Sequence, residues 1–477
     1  MFDETFNLAV ALLLIAMGAY MLVLTRLFPL RVKTVCRGLL RLFRPGKGGK
    51  QDEISPFEAL SAALGGSVGT GNIAGVASAI AIGGAGAIFW MWISGVIGMA
   101  TKYAEVLIAM RYRKRGADGA PVGGTMYCIL LGMGKGAAPL AVLFAAFTLL
   151  ASLGCGNMVQ VNTIASAVSE AAKAISPAAA SGADTRLLAW ITGAVTAAAL
   201  GAVLLGGAKR VCSASAYVVP VMSALYIGAA VWVILRFSDR LPEVLRMIFS
   251  GAFGLRPAVG GAVGFTLSRA LRVGMTRGVF SNEAGIGAAP MAYASARCED
   301  PVEQAMMGIF EVFVDTILIC TLTALMVLVS GVPIPYGDVD ASGMAIALDA
   351  LATVVPKREA GAFLAVCVAL FAFSSMLGWS LYGVRAAEFL LGAKGIRAYR
   401  ILFLACALVG AVMDCPCVAD GRSIQFADGA TKPGDASCAR AAGAPGNGRI
   451  YCLAASVQTQ ASVIQYMRKK QRISQTK

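Results

Sequence analysis

The stretch that decides the fold runs from residue 65 to residue 75 and reads Gly-Gly-Ser-Val-Gly-Thr-Gly-Asn-Ile-Ala-Gly. It lies inside an apolar run, residues 57–82, which is long enough to cross the hydrocarbon core of a bilayer, about 30 Å thick. Each glycine costs about 1 kcal/mol relative to alanine inside a helix. Unwound backbone within a membrane is tolerated only where it is buried in protein or lines a cavity. The stretch therefore predicts a membrane-spanning helix that is interrupted near its middle.

A second apolar run, residues 257–291, is interrupted by charged residues, an amide and glycines. They are Arg269, Arg272, Arg277, Asn282, Glu283, Gly285 and Gly287. Interrupted helices at corresponding positions of two halves are typical of carriers that bind substrate near mid-membrane. The second run follows the first by five predicted spans. This order predicts a five-plus-five inverted-repeat transporter fold with one extra span at the N-terminus.

The composition indicates that most of the chain is embedded in a membrane. Of the 477 residues, 58% are hydrophobic and only 14% are charged, whereas globular proteins average about 25% charged residues. The mean hydropathy is +0.73. We therefore expect an all-α polytopic membrane protein with about ten spans. They are predicted at residues 6–28, 57–82, 86–111, 137–163, 187–207, 215–236, 257–291, 304–331, 359–390 and 397–414.

The net charge of +15 lies in short basic clusters between the apolar runs. Such clusters orient membrane proteins, and their distribution argues against a nucleic-acid partner. The positive-inside rule places the basic loop 29–56 in the cytoplasm and the N-terminus on the extracytoplasmic side. We expect the membrane to be a bacterial inner membrane. The acidic segment 333–350 then lies outside, as does an amphipathic stretch at 240–256.

The predicted organisation follows the order of these segments. They are the extra span 1–28, the basic loop 29–56, the first five-helix repeat 57–236, an extracytoplasmic amphipathic segment 237–256, an incomplete second repeat 257–414 and a polar tail 415–477.

Several classes of protein are excluded by what the sequence lacks. It contains no histidine, and its 12 cysteines show no repeated metal-ligand spacing. Residues 65–69 match the Gly-x-Ser-x-Gly pattern of hydrolases, but Ser67 has no histidine to activate it. We therefore expect neither an enzyme nor a bound cofactor. A channel would need a continuous polar path and would more often repeat one pore segment around a symmetry axis. The pattern indicates no particular oligomeric state.

The glycine-rich stretch at 65–75 has two interpretations. It is either a face of small residues that lets helices pack closely, or a binding segment. In a binding segment, unwound carbonyl oxygens hold a cation, while free N–H groups and the half-helix dipole hold a carboxylate. Thr70 and Asn72 add side-chain oxygens that suit a monovalent cation.

Two pairs of polar residues within the spans are further candidates. Asn157 and Gln160 share a helical face, where amides serve equally well to join helices or to contact a polar ligand. Asp315 and Glu311 also share a face, and an intramembrane carboxylate indicates a functional site. Asp315 either serves a cation site or pairs with an arginine of the second interrupted run. Glu283 is expected to pair with Arg277 or to cap the unwound segment.

Five motifs, in order along the chain, resemble the alanine/glycine:cation symporter family. They are Val-Gly-Thr-Gly-Asn-Ile-Ala-Gly at 68–75, Gly-Gly-Ala-Gly-Ala-Ile-Phe-Trp-Met-Trp-Ile-Ser-Gly at 83–95, Gly-Asn-Met-Val-Gln-Val-Asn at 156–162, Arg-Gly-Val-Phe-Ser-Asn-Glu-Ala-Gly at 277–285 and Phe-Ser-Ser-Met-Leu-Gly-Trp at 373–379. The resemblance covers about residues 50–413. It implies the inverted-repeat fold of the leucine/neurotransmitter sodium symporters, with Na⁺ or H⁺ driving uptake of alanine or glycine.

The resemblance also implies two sodium sites. The first lies near the Ser67 carbonyl and the Asn72 amide, where Asp315 is a further candidate ligand. The second lies between the carbonyls of Gly65 and Val68 and two hydroxyls, those of Ser374 and Ser375. Hydrogen bonding of these serines to their own helix is the alternative.

For the substrate, the resemblance favours contacts from Asn157 and Gln160. The carboxylate of the amino acid is expected at Thr70 and the N–H groups of Gly71 and Asn72. Its ammonium group is expected at unwound carbonyls near residues 275–281, which include Thr276 and Ser281.

The residues after 413 depart from the family pattern. From Asp414 the chain reads Asp-Cys-Pro-Cys-Val-Ala-Asp-Gly, and no 20-residue apolar run follows. A polar tail is one interpretation. We favour a reading-frame shift, because codons for Cys417 to Pro433 can be chosen that, read one base later, encode the family's final-helix motif Asn-x-Leu-Met-Ala-x-Pro-Asn. The last core helix would then be missing, and the chain would be a remnant with weak or no transport. Sequencing the coding DNA tests this, since a shifted frame without the motif would exclude it.

Overall fold

The computed structural model describes residues 2–25, 27–31, 35, 53–116, 119–175, 182–253, 267–298, 300–338 and 341–413. The predicted tail 415–477, most of the basic loop 29–56 and the start of the run 257–291 lie outside this part of the chain. The missing last helix and the frame shift therefore remain predictions, as do the boundaries of the two repeats.

The described residues form sixteen α-helices, in agreement with the all-α prediction. In chain order these are α1 Phe2–Leu24, α2 Pro56–Ser67, α3 Ala74–Gly83, α4 Gly86–Arg111, α5 Thr125–Gly132, α6 Ala138–Leu153, α7 Val159–Ile175, α8 Gly182–Leu204, α9 Gly207–Arg236, α10 Leu241–Ala252, α11 Leu267–Asn282, α12 Pro290–Tyr293, α13 Pro301–Val312, α14 Thr321–Ser330, α15 Gly343–Leu351 and α16 Lys357–Gly410. One short antiparallel ladder, β1 Lys114–Arg115 with β2 Pro121–Val122, is the departure from an all-α chain among these residues.

Six helical segments of the described chain are long and apolar enough to cross a membrane. They are Gly86–Arg111, Lys135–Ala172, Thr185–Leu204, Gly207–Arg236, Pro301–Ser330 and Lys357–Gly410. The last has 54 residues, which at 1.5 Å per residue is about 80 Å and too long for one crossing. It bends at Gly392, where φ is 65° and ψ is −154°. The two legs correspond to the predicted spans 359–390 and 397–414.

Local sequence signals explain where α2 and α13, two helices beside the polar site residues, begin. Ser55 accepts a hydrogen bond from the backbone N–H of Glu58, whose carboxylate accepts one from the N–H of Ser55. This reciprocal cap satisfies N–H groups that have no partner within the helix. Pro56 follows at the first helical position. Helix α13 begins in a similar way: the Asp300 side chain caps its N-terminus, and Pro301 is its first residue.

Helix α4 lies at the centre of the bundle, in contact with α1, α10, α11 and α13. Small residues allow this approach. A methyl group added at Gly278 of α11 would lie 2.6 Å from Cβ of Ser94 in α4, closer than side-chain carbons pack. Such small-residue contacts let helices approach closely where the hydrophobic effect cannot drive association. The packing holds α11 and α13 against α4 and so positions the polar groups that they carry.

Candidate cation and substrate site

The first interruption lies where the glycine-rich stretch predicts it. Helix α2 ends at Ser67, a 3₁₀ turn covers Thr70–Asn72, and α3 begins at Ala74. The backbone between them is extended at Val68 and Gly69. The N–H of Gly69 bonds to the side-chain oxygen of Asn72 at 2.9 Å. The amide of Asn72 thus replaces a backbone partner that the interruption removes.

Asn72 is also the centre of a buried polar cluster, and it is 1% exposed. Its side-chain nitrogen donates to Oδ1 of Asp315 at 2.7 Å and to Oγ of Ser281 at 3.2 Å. Ser281 in turn donates to Oδ2 of Asp315 at 2.8 Å, as does Thr316 at 2.8 Å. The sulfur of Cys320 lies 3.3 Å from both Asn72 and Ser281. The structure therefore joins three predicted site residues, Asn72, Ser281 and Asp315, from three separate segments.

Asp315 lies in a π-helical segment, Phe313–Cys320, between α13 and α14. Such wide turns occur frequently at functional sites. The side chain is 0% exposed, and its hydrogen bonds come from neutral donors on Asn72, Ser281 and Thr316. Among the described residues no ion pair neutralises it, so the alternative pairing with an arginine does not form. A buried carboxylate without a counter-charge is costly, and a bound cation is one means of neutralising it.

The residues of the second predicted sodium site also come together. A methyl group added at Gly65 would lie 3.0 Å from the carbonyl oxygen of Ser374, and one added at Gly69 would lie 3.2 Å from the hydroxyl of Ser375. Both hydroxyls donate to the carbonyl of Phe371 in their own helix, at 2.9 and 3.1 Å. The back-bonding alternative is thus observed. It leaves the lone pairs of the Ser375 hydroxyl beside Gly69, just after the end of α2.

The second interruption lies further along the chain than predicted. Residues 275–281 are helical, within α11, and their carbonyls are not unwound. The prediction that these carbonyls receive an ammonium group from an unwound segment is therefore wrong. The helix ends at Asn282, and three residues of the unwound stretch have positive φ angles: Glu283 (52°), Gly285 (94°) and Gly287 (83°). The charged and amide residues before 283 suggested an unwound segment there, but they lie within the helix α11. Two of the three positive φ angles fall at glycines, which adopt this conformation without strain. Thr276 lies mid-helix and is half-buried.

Asn157 lies in a second π-helical segment, Gly154–Met158, between α6 and α7. Its nitrogen donates to the carbonyl of Phe403 in α16 at 2.6 Å, so the residue does join helices. Its oxygen has no hydrogen-bond partner among the described residues, and neither does that of Gln160. The nitrogen of Gln160 donates to the carbonyl of Cys155 at 3.1 Å. Each side chain therefore has an amide oxygen that could accept a hydrogen bond from a ligand. Contact with the substrate stays a prediction.

The 3₁₀ turn presents its remaining residues to open space. Thr70 is half-buried and Gly71 is exposed, and a methyl group added at Gly71 would meet nothing within 4 Å. Gly71 therefore lies on an open side of the interruption, whereas the Asn72 side chain is buried.

Sequence reasoning missed two charged residues in α4, Lys102 and Glu105, which are 0% and 2% exposed. Lys102 forms an ion pair of 3.2 Å with Glu311, and Tyr293 donates to the same carboxylate at 2.8 Å. Glu311 therefore has a structural partner, unlike Asp315. The signal was present in the sequence, because both residues stand within a predicted span, where charged residues are costly and indicate function.

The fold defines a class of protein: a multi-pass membrane protein with the inverted-repeat architecture. The structure is similar to that of MhsT, solved in complex with L-phenylalanine, with a TM-score of 0.50, 14% sequence identity, and coverage of 87% of this chain and 98% of that one. The likeness shows the shared fold. The predicted fold class is confirmed, while the number of spans remains a prediction.

The sequence model of the sodium:alanine symporter family matches residues 2–429. The chain is similar to the sodium/alanine symporter AgcS of Methanococcus maripaludis, with 40% identity over 371 residues, or 77% of this chain and 78% of the relative. It is also 36% identical over 411 residues to an uncharacterized transporter of Haemophilus influenzae, with 86% of each chain covered. The chain belongs to the sodium:alanine symporter family. Members of this family are transporters and not enzymes, as the sequence predicts.

Proposed function

We propose that this chain is a secondary active symporter that couples entry of Na⁺, or H⁺, to uptake of a small neutral amino acid, alanine or glycine. The observation that carries the proposal is the buried Asp315 carboxylate. It receives hydrogen bonds from the first interruption through Asn72 and from the last turn of α11 through Ser281. A cation bound there would act on both segments at once.

The cation is proposed to lie between the carboxylate of Asp315, the side-chain oxygen of Asn72 and the carbonyl of Ser67. The Asn72 amide would turn to bind it, because its nitrogen faces Asp315 and its oxygen accepts from the N–H of Gly69. Hard monovalent cations prefer oxygen ligands, and these groups supply a carboxylate, an amide and a carbonyl oxygen. A second cation is proposed between the carbonyls of Gly65 and Val68 and the hydroxyls of Ser374 and Ser375. Both sites use the end of α2, so cation binding would order the interruption.

The amino acid is proposed to bind on the open side of the same interruption. Its carboxylate would meet the N–H of Gly71, an exposed residue, and the hydroxyl of Thr70, which is half-buried. The free oxygens of Asn157 and Gln160 are acceptors suited to an ammonium group. Cation and substrate would then stabilise the same unwound backbone, and each would raise the affinity for the other. Rocking of one helix bundle against the other would change the side from which the site opens.

Uptake into proteoliposomes tests this proposal. The full chain is reconstituted and given labelled alanine, glycine or the larger leucine, under an inward Na⁺ gradient at equal pH or an inward H⁺ gradient without Na⁺. We expect uptake of alanine or glycine above the gradient-free level in one of the two gradients. Uptake that is equal with and without both gradients would reject symport. Equal uptake of leucine would reject selectivity for a small side chain.

The predicted reading-frame shift implies a second candidate, a non-functional remnant of such a carrier. The same preparation distinguishes the two. Cation-dependent binding of alanine without gradient-driven uptake would favour the remnant, and uptake would exclude it.

A further inference from the structure

A second buried polar cluster lies beside the cation site, between α4, α12, α13 and the second interruption. It contains an ion pair between Lys102 and Glu311, whose charged atoms lie 3.2 Å apart and whose side chains are both buried. The hydroxyl of Tyr293 donates to the other oxygen of Glu311 at 2.8 Å. Both oxygens of Glu311 therefore have partners, and the pair with Lys102 is electrically neutral.

Glu105 lies one helical turn beyond Lys102 and is 2% exposed. Its carboxyl group interacts with the backbone N–H groups of Gly285 and Gly287, within the unwound segment after α11. Its Oε2 atom has no hydrogen-bond partner among the described residues. The Oε2 atom of Glu283, at the start of the same segment, also has none.

The charges around Glu105 do not balance. The groups within electrostatic range of it are Lys102 on its own helix, Glu311 on α13 and Glu283 in the second interruption. Cys128 of α5 also faces Glu105, while Tyr382 of α16 and Tyr293 face the neighbouring carboxylates, and all three are neutral in their ordinary forms. One ammonium group therefore stands among three carboxyl groups, and Glu311 already neutralises it. A further buried carboxylate without a counter-charge is strongly unfavourable.

A proton could supply the missing positive charge more readily than a metal ion could. Among the described residues, no group of three or more histidine, cysteine, aspartate or glutamate side chains is placed to hold a metal ion. A proton needs only one carboxyl oxygen, and Oε2 of Glu105 is buried and unpartnered. An intramembrane carboxyl group of this kind is the usual carrier of a proton in transporters.

We propose that Glu105 is a proton-binding site of this transporter and that its protonation state controls its hold on the second interruption. This inference rests on the proposed symport function. The proton comes from water on the side to which the transporter is open and adds to Oε2, forming an O–H bond. The charged carboxylate is a strong acceptor for the N–H groups of Gly285 and Gly287, and the protonated acid is a weaker one. Proton binding thus loosens the unwound segment, and proton release tightens it.

Infrared difference spectroscopy of the reconstituted full chain tests the site directly. A pH step should reveal the carbonyl stretch of a buried, protonated carboxyl group in the unmodified protein. We expect the band to be lost in Glu105→Gln and retained in Glu359→Gln, which removes a carboxylate exposed on α16. A band of unchanged intensity in Glu105→Gln, or no such band in the unmodified protein, would overturn the proposal.

A second variant guards against misfolding of the first. Glu105→Asp keeps a titratable carboxyl group at the same position, so the band should persist at a shifted frequency. An unshifted band would assign it to another residue and overturn the proposal. Folding of each variant is judged by its elution as a single species in size-exclusion chromatography.

Alanine uptake as a function of pH, at a constant Na⁺ gradient, separates proton binding from a merely structural role. The unmodified protein should show a pH-dependent rate, and Glu105→Gln should lose that dependence. A positioning role alone would lower the rate by the same factor at every pH and would overturn the proposal. A failure of the proposed symport can be told apart from a failure of the proton site. Without symport, the unmodified protein would show no gradient-driven uptake, while the infrared band would still report on Glu105.

Discussion

The side-chain nitrogen of Asn72 lies 2.7 Å from Oδ1 of Asp315, although 243 residues separate them in the sequence. This hydrogen bond joins the interruption of the first core helix to the π-helical segment of another. Asn72 also holds the N–H of Gly69 through its oxygen. A change at either end of the bond should therefore alter both the interruption and the proposed cation site.

Removing the carboxylate should impair coupling more than it impairs folding. In Asp315→Asn the size is kept and the negative charge is lost. We expect the apparent affinity for Na⁺ to fall by about 100-fold, since losing one partner of a buried charge pair costs about 3 kcal/mol. The measurement is alanine uptake against Na⁺ concentration. Asp349→Asn is the matched control, because this carboxylate is 46% exposed and pairs with Lys357 on the surface. Equal effects of both changes would remove Asp315 from the site.

Truncation of the Asn72 side chain should destabilise the first interruption and weaken cation binding there. Asn72→Ala removes the acceptor for the N–H of Gly69 and a donor to Asp315, and leaves buried polar groups unsatisfied. We expect stability to fall by about 1–3 kcal/mol, with a loss of Na⁺-dependent alanine binding. Thermal unfolding and equilibrium binding with and without Na⁺ measure the two effects. Thr353→Ala, at an exposed turn, should change neither. Na⁺-dependent binding that survives Asn72→Ala unchanged would contradict the proposed ligand.

Helix packing at the end of α2 should depend on Gly378 of α16. A methyl group there would lie 2.6 Å from the backbone nitrogen of Gly66 and 2.8 Å from the carbonyl oxygen of Ala62. Backbone cannot yield as a flexible side chain does, so Gly378→Ala should destabilise the protein by about 1–3 kcal/mol. Gly228 is the control within α9, since a methyl group there meets nothing within 4 Å. Gly228→Ala should instead stabilise by up to about 1 kcal/mol through helix propensity. Thermal unfolding that ranks the two variants in the opposite order would refute the packing argument.

The start of α2 should depend on Lys209 of α9. Its ammonium group donates to the carbonyl of Glu53 at 2.6 Å and to the carboxylate of Glu58 at 2.7 Å. Because the lysine side chain is one-third exposed, Lys209→Met should cost only about 0.5–1 kcal/mol. The loss should appear locally, as faster hydrogen exchange at the first turns of α2. Lys357→Met, which breaks an exposed pair with Asp349, should leave exchange in α2 unchanged. Exchange that rises equally in both variants would show that Lys209 does not hold this end of the helix.

Much of the architecture was predictable because it follows from local physics. A membrane requires apolar runs of a certain length and backbone groups that bond within their own helix. These two constraints are read directly from hydropathy and from glycine density. They predicted an interruption within residues 65–75, which the structure shows at residues 68–73, and they predicted membrane helices close to their observed positions, such as Gly86–Arg111.

The second interruption shows where local reasoning fails. Arg277 and Asn282 looked incompatible with a helix in a membrane, yet both are helical within α11. The side-chain oxygen of Asn282 accepts a hydrogen bond from the N–H of Ala284, at the start of the unwound stretch, a contact that hydropathy alone does not reveal. The positive φ angles fall instead at Glu283, Gly285 and Gly287. A helix in a bundle unwinds where its partners supply replacement hydrogen bonds, and Glu105 interacts with two of the N–H groups concerned.

The sequence by itself determined that the chain crosses a membrane repeatedly, that its first core helix is broken at a glycine-rich stretch, and which family it resembles. These conclusions depend on composition and on short motifs, which act through neighbours along the chain. Only the tertiary structure decided which polar groups meet. It paired Lys102 with Glu311, left Asp315 with neutral donors, and placed Asn72 against Asp315. In hydrocarbon each of these groups must find a partner, and the partner is chosen by which helices pack together, a property of the whole fold.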